Sequence, residues 1–113
     1  MSPITSHVLD TSLGKPAQNL GVRLEVQESE WSWRMLAECV TNQEGRVTDL
    51  LPEGALARGR YRMVFETAAY HHAAGQPVFY PEVSIVFDIE APAEHYHIPL
   101  LLSPFGYSTY RGS

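Results

Sequence analysis

Residues 20–40 read LGVRLEVQESEWSWRMLAECV. Leu20, Val22, Leu24 and Val26 alternate with Gly21, Arg23, Glu25 and Gln27. Every second side chain of an extended chain points to the same side, so this is a half-buried strand. Trp33, Met35, Ala37 and Cys39 alternate with Arg34, Leu36, Glu38 and Val40 and predict a second strand. Trp31 and Trp33 share parity and are expected to pack at a core or an interface.

The same period runs outward in both directions. Ile4, Ser6 and Val8 oppose Thr5, His7 and Leu9 in a first strand that ends near Gly14-Lys15-Pro16. Asn42-Gln43-Glu44-Gly45 is a turn and delivers Arg46 at the head of a short strand. Pro52, Gly54 and Gly59 make 50–59 a loop. Residues 60–66 alternate again, with Tyr61, Met63 and Phe65 on one face. Val83, Ile85, Phe87 and Ile89 form a core-facing strand, Tyr96, Ile98, Leu100 and Leu102 another, and 107–111 the last. TAAYHHAA at 67–74 is the one helical segment; Thr67 is its expected cap and Gly75 its stop. Seven or eight short strands, with turn signals roughly every ten residues, predict an all-β sandwich or barrel. A parallel α/β fold is excluded, because it needs helices between its strands.

The totals agree. At 113 residues the chain is expected to be one domain, 1–113. It carries 8 Lys and Arg against 13 Asp and Glu, a net charge of −5. An acidic balance argues against non-specific binding to nucleic acid or to an anionic membrane. The single Cys39 forms no intramolecular disulfide, and MSPITSHVLD lacks the pattern of a secretory leader. A cytoplasmic protein is the expectation.

The chemistry-bearing groups follow from parity. In 96–102 the even positions carry the apolar set, so His95 and His97 fall on the opposite face. His7 likewise opposes Val8. If the two strands are neighbours, His7 and His97 converge on a non-core face. Taken singly, each histidine reads as a solvated surface group, and His71 and His72 stay with that reading. His95 and His97, two apart on a strand, also fit a metal pair that His7 would complete. Arg46 is either a surface cation or a fork of donors for a carbonyl-rich planar substrate. Cys39 fits a small core residue better than a nucleophile. Ser113 has no Gly-Xaa-Ser-Xaa-Gly context, so a hydrolase elbow is unsupported.

The C-terminal stretch HYHIPLLLSPFGYSTYRGS, residues 95–113, closely resembles the C-terminus of the 5-hydroxyisourate hydrolases, the enzyme branch of the transthyretin-like proteins. SHVLDTSLGKPA at 6–17, Gly45-Arg46, Gly59-Arg60-Tyr61 and FYPEVSIVF at 79–87 resemble further family motifs in the same order. The resemblance implies a transthyretin-like (prealbumin-like) β-sandwich of about eight strands in two sheets with one short helix. It implies a homotetramer, a dimer of dimers, with active sites at the dimer–dimer interface. It also implies hydrolysis of 5-hydroxyisourate to 2-oxo-4-hydroxy-4-carboxy-5-ureidoimidazoline in urate catabolism, with no cofactor and no metal. Carried over by motif position, the catalytic residues are His7, Arg46, His97 and Ser113, and the substrate-binding ones His7, Arg46 and Tyr110. The alternative within the family is a binding protein that holds an aromatic ligand in the inter-dimer channel without catalysis. Binding-type members lack the set His7, Arg46, His97 and Tyr110–Ser113.

Overall fold

The computed structural model describes residues 2–112. Its elements are β1 (Ile4–Asp10), β2 (Lys15–Pro16), β3 (Gly21–Ser29), β4 (Ser32–Val40), β5 (Arg46–Val47), β6 (Gly59–Phe65), α1 (Thr67–Ala73), β7 (Val83–Ile89), β8 (Tyr96–Ser103) and β9 (Gly106–Thr109). They form two sheets. One has the order β2-β1-β8-β9, with β5 also paired to β1; the other is β4-β3-β6-β7. β1 and β8 run parallel, from Ile4↔Tyr96 to Asp10↔Leu102. The remaining pairs are antiparallel. The two-residue β2 brings the expected eight strands to nine.

The alternation read from the sequence builds the core. Ile4, Val8, Leu100 and Leu102 from the first sheet meet Val22, Leu24, Met63, Phe65, Val83 and Ile89 from the second, all buried. Among the described residues, no helix is long and apolar enough to cross a membrane.

Four expectations need correction. In β4 the alternation changes phase. Leu24 pairs with Ala37 but Glu25 pairs with Met35, so Leu36 is an extra residue, a bulge. Leu36 itself packs on the core, while Met35, beyond it, is exposed. Trp33 has the Arg62 guanidinium over its ring at 4.4 Å, and Trp31 is 88% exposed. The expected packing of Trp31 is therefore absent within the chain. Thr67 does not cap α1. The cap position is Glu66, without a side-chain bond, and the buried Thr67 hydroxyl donates to the Tyr80 carbonyl at 2.6 Å. Gly75 does stop the helix: its N–H donates to the His72 carbonyl, and that of Gln76 to the His71 carbonyl. His71 is fully buried rather than solvated.

That burial belongs to a polar clip between α1 and β1. The His71 Nδ1 lies 2.7 Å from Gln76 Oε1, so Nδ1 donates to that carbonyl oxygen. Gln76 Nε2 donates to Asp10 Oδ2 and Ser12 Oγ, and Tyr70 donates to Asp10 Oδ2 at 2.6 Å. The Ser12 and Leu13 N–H groups and the Ser12 hydroxyl donate to Asp10 Oδ1. Burial pushes the Asp10 carboxyl up, but the hydrogen bonds from Tyr70, Ser12, Leu13 and Gln76 outweigh it and hold it below the usual range. A depressed carboxyl stabilises the fold above its unfolded value of about 3.9, and that contribution is lost as pH falls through the folded value. Asp10→Ala leaves five donors without their acceptor and is expected to cost roughly 3 kcal/mol. Urea unfolding at neutral pH and fixed protein concentration measures this, and a cost below about 1 kcal/mol would contradict the role of the clip.

Candidate active site

Strand β1 lies inside its sheet, with β8 on one edge and β2 and β5 on the other. Its even residues Ile4, Ser6, Val8 and Asp10 enter the core. Thr5, His7 and Leu9 therefore face away from it. The pairing His7↔Arg46 sets the arginine directly beside the histidine, and Thr5↔His97 sets the second histidine one step along on the other side. Three strands thus bring His7, Arg46 and His97 to one face.

Arg46 is delivered by a tight turn. Asn42 Oδ1 accepts from the N–H groups of Glu44 and Arg46 at 2.9 and 3.0 Å, and Gly45 N–H donates to the Asn42 carbonyl. Gly45 has φ +75°, and a Cβ there would lie 2.4 Å from the Val8 carbonyl oxygen. The turn also supplies a partner for His7, whose Nε2 lies 2.8 Å from the Glu44 carbonyl. A carbonyl only accepts, so Nε2 is the donor, and neutral His7 keeps its lone pair on Nδ1.

His97 is held in the complementary way. Its Nδ1 lies 2.8 Å from Thr5 Oγ1, which leaves Nε2 free. Burial lowers the His97 pKa from 6.5, the positive charge of Arg46 lowers it further, and His95 and His7 add to this, while a hydrogen bond with Thr5 opposes it. His97 is therefore neutral at neutral pH, the form a proton acceptor requires.

The chain end docks on this histidine. Gly112 N–H donates to the His97 carbonyl at 2.8 Å. A Cβ on Gly112 would lie 2.6 Å from His97 Cδ2, so only glycine lets the tail lie against the ring. Arg111 fixes the approach, with its guanidinium 4.3 Å from the centre of the Tyr96 ring and Nη2 donating to Glu94 at 2.9 Å. Tyr110 lines a cleft of about 250 Å³ with Ile85, Phe87, Tyr96, Ile98 and Thr109. Tyr96 and Ile98 have the parity opposite to His97, so Tyr110 is placed toward the gap between the sheets and not beside the histidines. Ser113 lies outside the described residues. Thr5 was missed from the sequence, although it shares parity with His7, and Gly112 was singled out only as part of Tyr110–Ser113. The Glu44 contact is made by a backbone carbonyl and has no side-chain signature.

The face offers two imidazoles, each with one ring nitrogen outside its hydrogen bond, and one guanidinium. It suits removal of a proton from water beside a group that stabilises a developing oxyanion. Among the described residues, no three His, Cys, Asp or Glu side chains are arranged to hold a metal ion.

The chain is similar to known proteins over nearly its whole length. The HIUase/Transthyretin family matches residues 4–112. The 5-hydroxyisourate hydrolase of Mus musculus is 45% identical over 113 residues, covering 99% of this chain and 96% of the mouse protein. The solved structure of Klebsiella pneumoniae 5-hydroxyisourate hydrolase superposes with a TM-score of 0.83 at 36% identity, covering 97% and 98% of the two chains. Sea bream transthyretin, solved in complex with thyroxine, gives 0.92 at 31% identity, with 98% and 95% covered. With its strand order, its family match and these full-length relatives, the chain belongs to the HIUase/Transthyretin family.

Proposed function

We propose that this chain hydrolyses 5-hydroxyisourate, opening one ring amide to give 2-oxo-4-hydroxy-4-carboxy-5-ureidoimidazoline. The observation that carries the proposal is the convergence of His7, Arg46 and His97 on one non-core face. Neutral His97 takes a proton from water through Nε2. His7 orients the same water or the substrate through Nδ1. Arg46 is exposed and directs its donors at the substrate's carbonyl oxygens, where negative charge develops as the carbonyl is attacked. Ser113 follows the docked Gly112 and is assigned to hold His97 or the substrate. Tyr110 is assigned to seating the tail, since its place in the inter-sheet cleft supports that role better than substrate contact.

A homotetramer with the active site at the dimer–dimer interface is part of the proposal. His7 and His97 are only half-buried in the single chain, which leaves room for a wall from a second subunit. Phe79 and Phe105, 63% and 66% exposed, join Tyr80 and Tyr107 through tilted and edge-on ring contacts in a surface aromatic cluster that a second copy would cover. A cytoplasmic setting is also proposed, resting on the single Cys39 without a disulfide partner. A thyroxine-like binding role on the same face is the second reading, favoured by the fold likeness to transthyretin. The polar set His7, Arg46 and His97 weighs against it, because two imidazoles beside a guanidinium suit proton transfer at an attacked carbonyl, which a binding protein does not need.

His97→Asn is expected to lower turnover of 5-hydroxyisourate by about 10²–10⁴-fold without changing the oligomer, and near-normal turnover would refute the assignment. The acid limb of kcat/KM is expected to have its midpoint below 6.5, the ordinary histidine value. Arg46→Met removes the nearby cation and is expected to move that midpoint up. A midpoint that stays put, or falls, would separate Arg46 from the titration of His97. Sedimentation analysis is expected to give four chains per particle, and an active monomer would contradict the interface site.

A further inference from the structure

The site leaves Thr5 and His95 without a role, yet they join His97 in one hydrogen-bonded line. Thr5 is 8% exposed, and its Oγ1 lies 2.8 Å from His97 Nδ1 and 3.1 Å from His95 Nε2. A hydroxyl has one proton and can donate it once. Where that proton stays within the line, one imidazole nitrogen accepts it, and the other carries its own and donates to the oxygen. Two such arrangements satisfy all three groups. In the first, His95 Nε2–H donates to Thr5 and Thr5 donates to His97 Nδ1; neutral His97 then carries its proton on Nε2 and has no lone pair for water. In the second, Thr5 donates to His95 Nε2 and His97 Nδ1–H donates to Thr5, which leaves His97 Nε2 bare. Only the second makes His97 a base.

We propose that Thr5 and His95 are positioning residues that set the tautomer of His97 and carry its proton away during hydrolysis. This rests on His97 being the proton acceptor of the proposed reaction. When water attacks the carbonyl, its proton bonds to His97 Nε2 as the new C–O bond forms. The Nδ1 proton of His97 passes to Thr5 Oγ1, and the Thr5 proton passes to His95 Nε2. His97 stays neutral, and the positive charge rests on His95. The exposed His95 is solvated, whereas an imidazolium at the half-buried His97 would face Arg46. The first arrangement now holds, and His97 Nε2–H is the donor that the departing ring nitrogen needs. As the C–N bond breaks, that proton goes to the nitrogen, Thr5 returns a proton to His97 Nδ1, and His95 returns one to Thr5. The second arrangement is restored with no proton gained or lost by the protein. The tautomer exchange thus gives one histidine both the base step and the acid step.

Side-chain ¹⁵N NMR of the intact oligomer at neutral pH tests the line without substrate. In the wild type His97 is expected to be protonated on Nδ1. In His95→Leu the Thr5 proton has no other acceptor, and His97 is expected to switch to the Nε2–H tautomer. Thr5→Val keeps the β-branched shape and removes the hydroxyl; kcat is expected to fall about 10–100-fold with KM little changed, as is usual when a group that orients a functional ligand is lost. Thr5→Ser keeps the hydroxyl and is expected to restore most of kcat. An unchanged His97 tautomer in His95→Leu, wild-type kcat in Thr5→Val, or equal losses in Thr5→Val and Thr5→Ser would each overturn the proposal. If any of these occurs while His97→Asn remains inactive, only the relay fails. If the wild type leaves 5-hydroxyisourate decay unchanged, the hydrolase proposal fails instead.

Discussion

The parallel pairing of β1 with β8 in the register Thr5↔His97 is the constraint on which the rest of the structure depends. Side chains alternate strictly along both strands. That register sends Ile4, Val8, Leu100 and Leu102 into the core and sends Thr5, His7 and His97 to the other face. A slip of one residue in either strand would place a histidine in the apolar interior and a leucine in the site. The core and the site are therefore specified together. The hydrophobic burial that folds the sandwich also fixes which ring faces which strand.

Secondary contacts convert that placement into defined chemistry. Imidazole has two nitrogens, and its use depends on which one is free. The Glu44 carbonyl occupies Nε2 of His7, and the Thr5 hydroxyl occupies Nδ1 of His97. Both partners sit on well-determined backbone. Glu44 lies in a turn locked by the Asn42 carboxamide and by Gly45, whose Cβ-less contact with Val8 admits no other residue. The docked tail adds a third restraint, because Gly112 covers the His97 ring. Placing Arg46 near His97 disfavours the charged form of that imidazole. At His97 the effect adds to burial and keeps the base neutral.

Much of this was legible in the sequence, and the rest was not for identifiable reasons. Period-two alternation located His7 and His97 on the non-core face, because burial on one side is enough to impose it. The same reasoning failed for Trp33 and Met35, where the bulge at Leu36 reverses the phase without any glycine or proline to mark it. It failed for His71, whose burial depends on Gln76 and Asp10 closing a polar clip from distant positions. Thr67 looked like a helix cap because its type suits one, yet its hydroxyl is drawn to the Tyr80 carbonyl in the loop before β7. Thr5 passed unnoticed, and Gly112 stood out only as part of Tyr110–Ser113, because a threonine in a strand and a glycine near a chain end have no individual role until a register sets them against His97. Sequence periodicity reports which side a residue faces. It does not report what it touches there.

The central claim is that the face built by His7, Arg46 and His97 is catalytic. The most direct measurement follows the ultraviolet absorbance of 5-hydroxyisourate freshly generated from urate, with and without the purified protein. The account predicts that the protein speeds the decay in proportion to its concentration. Decay at the spontaneous rate, with folded oligomeric protein present, would contradict it.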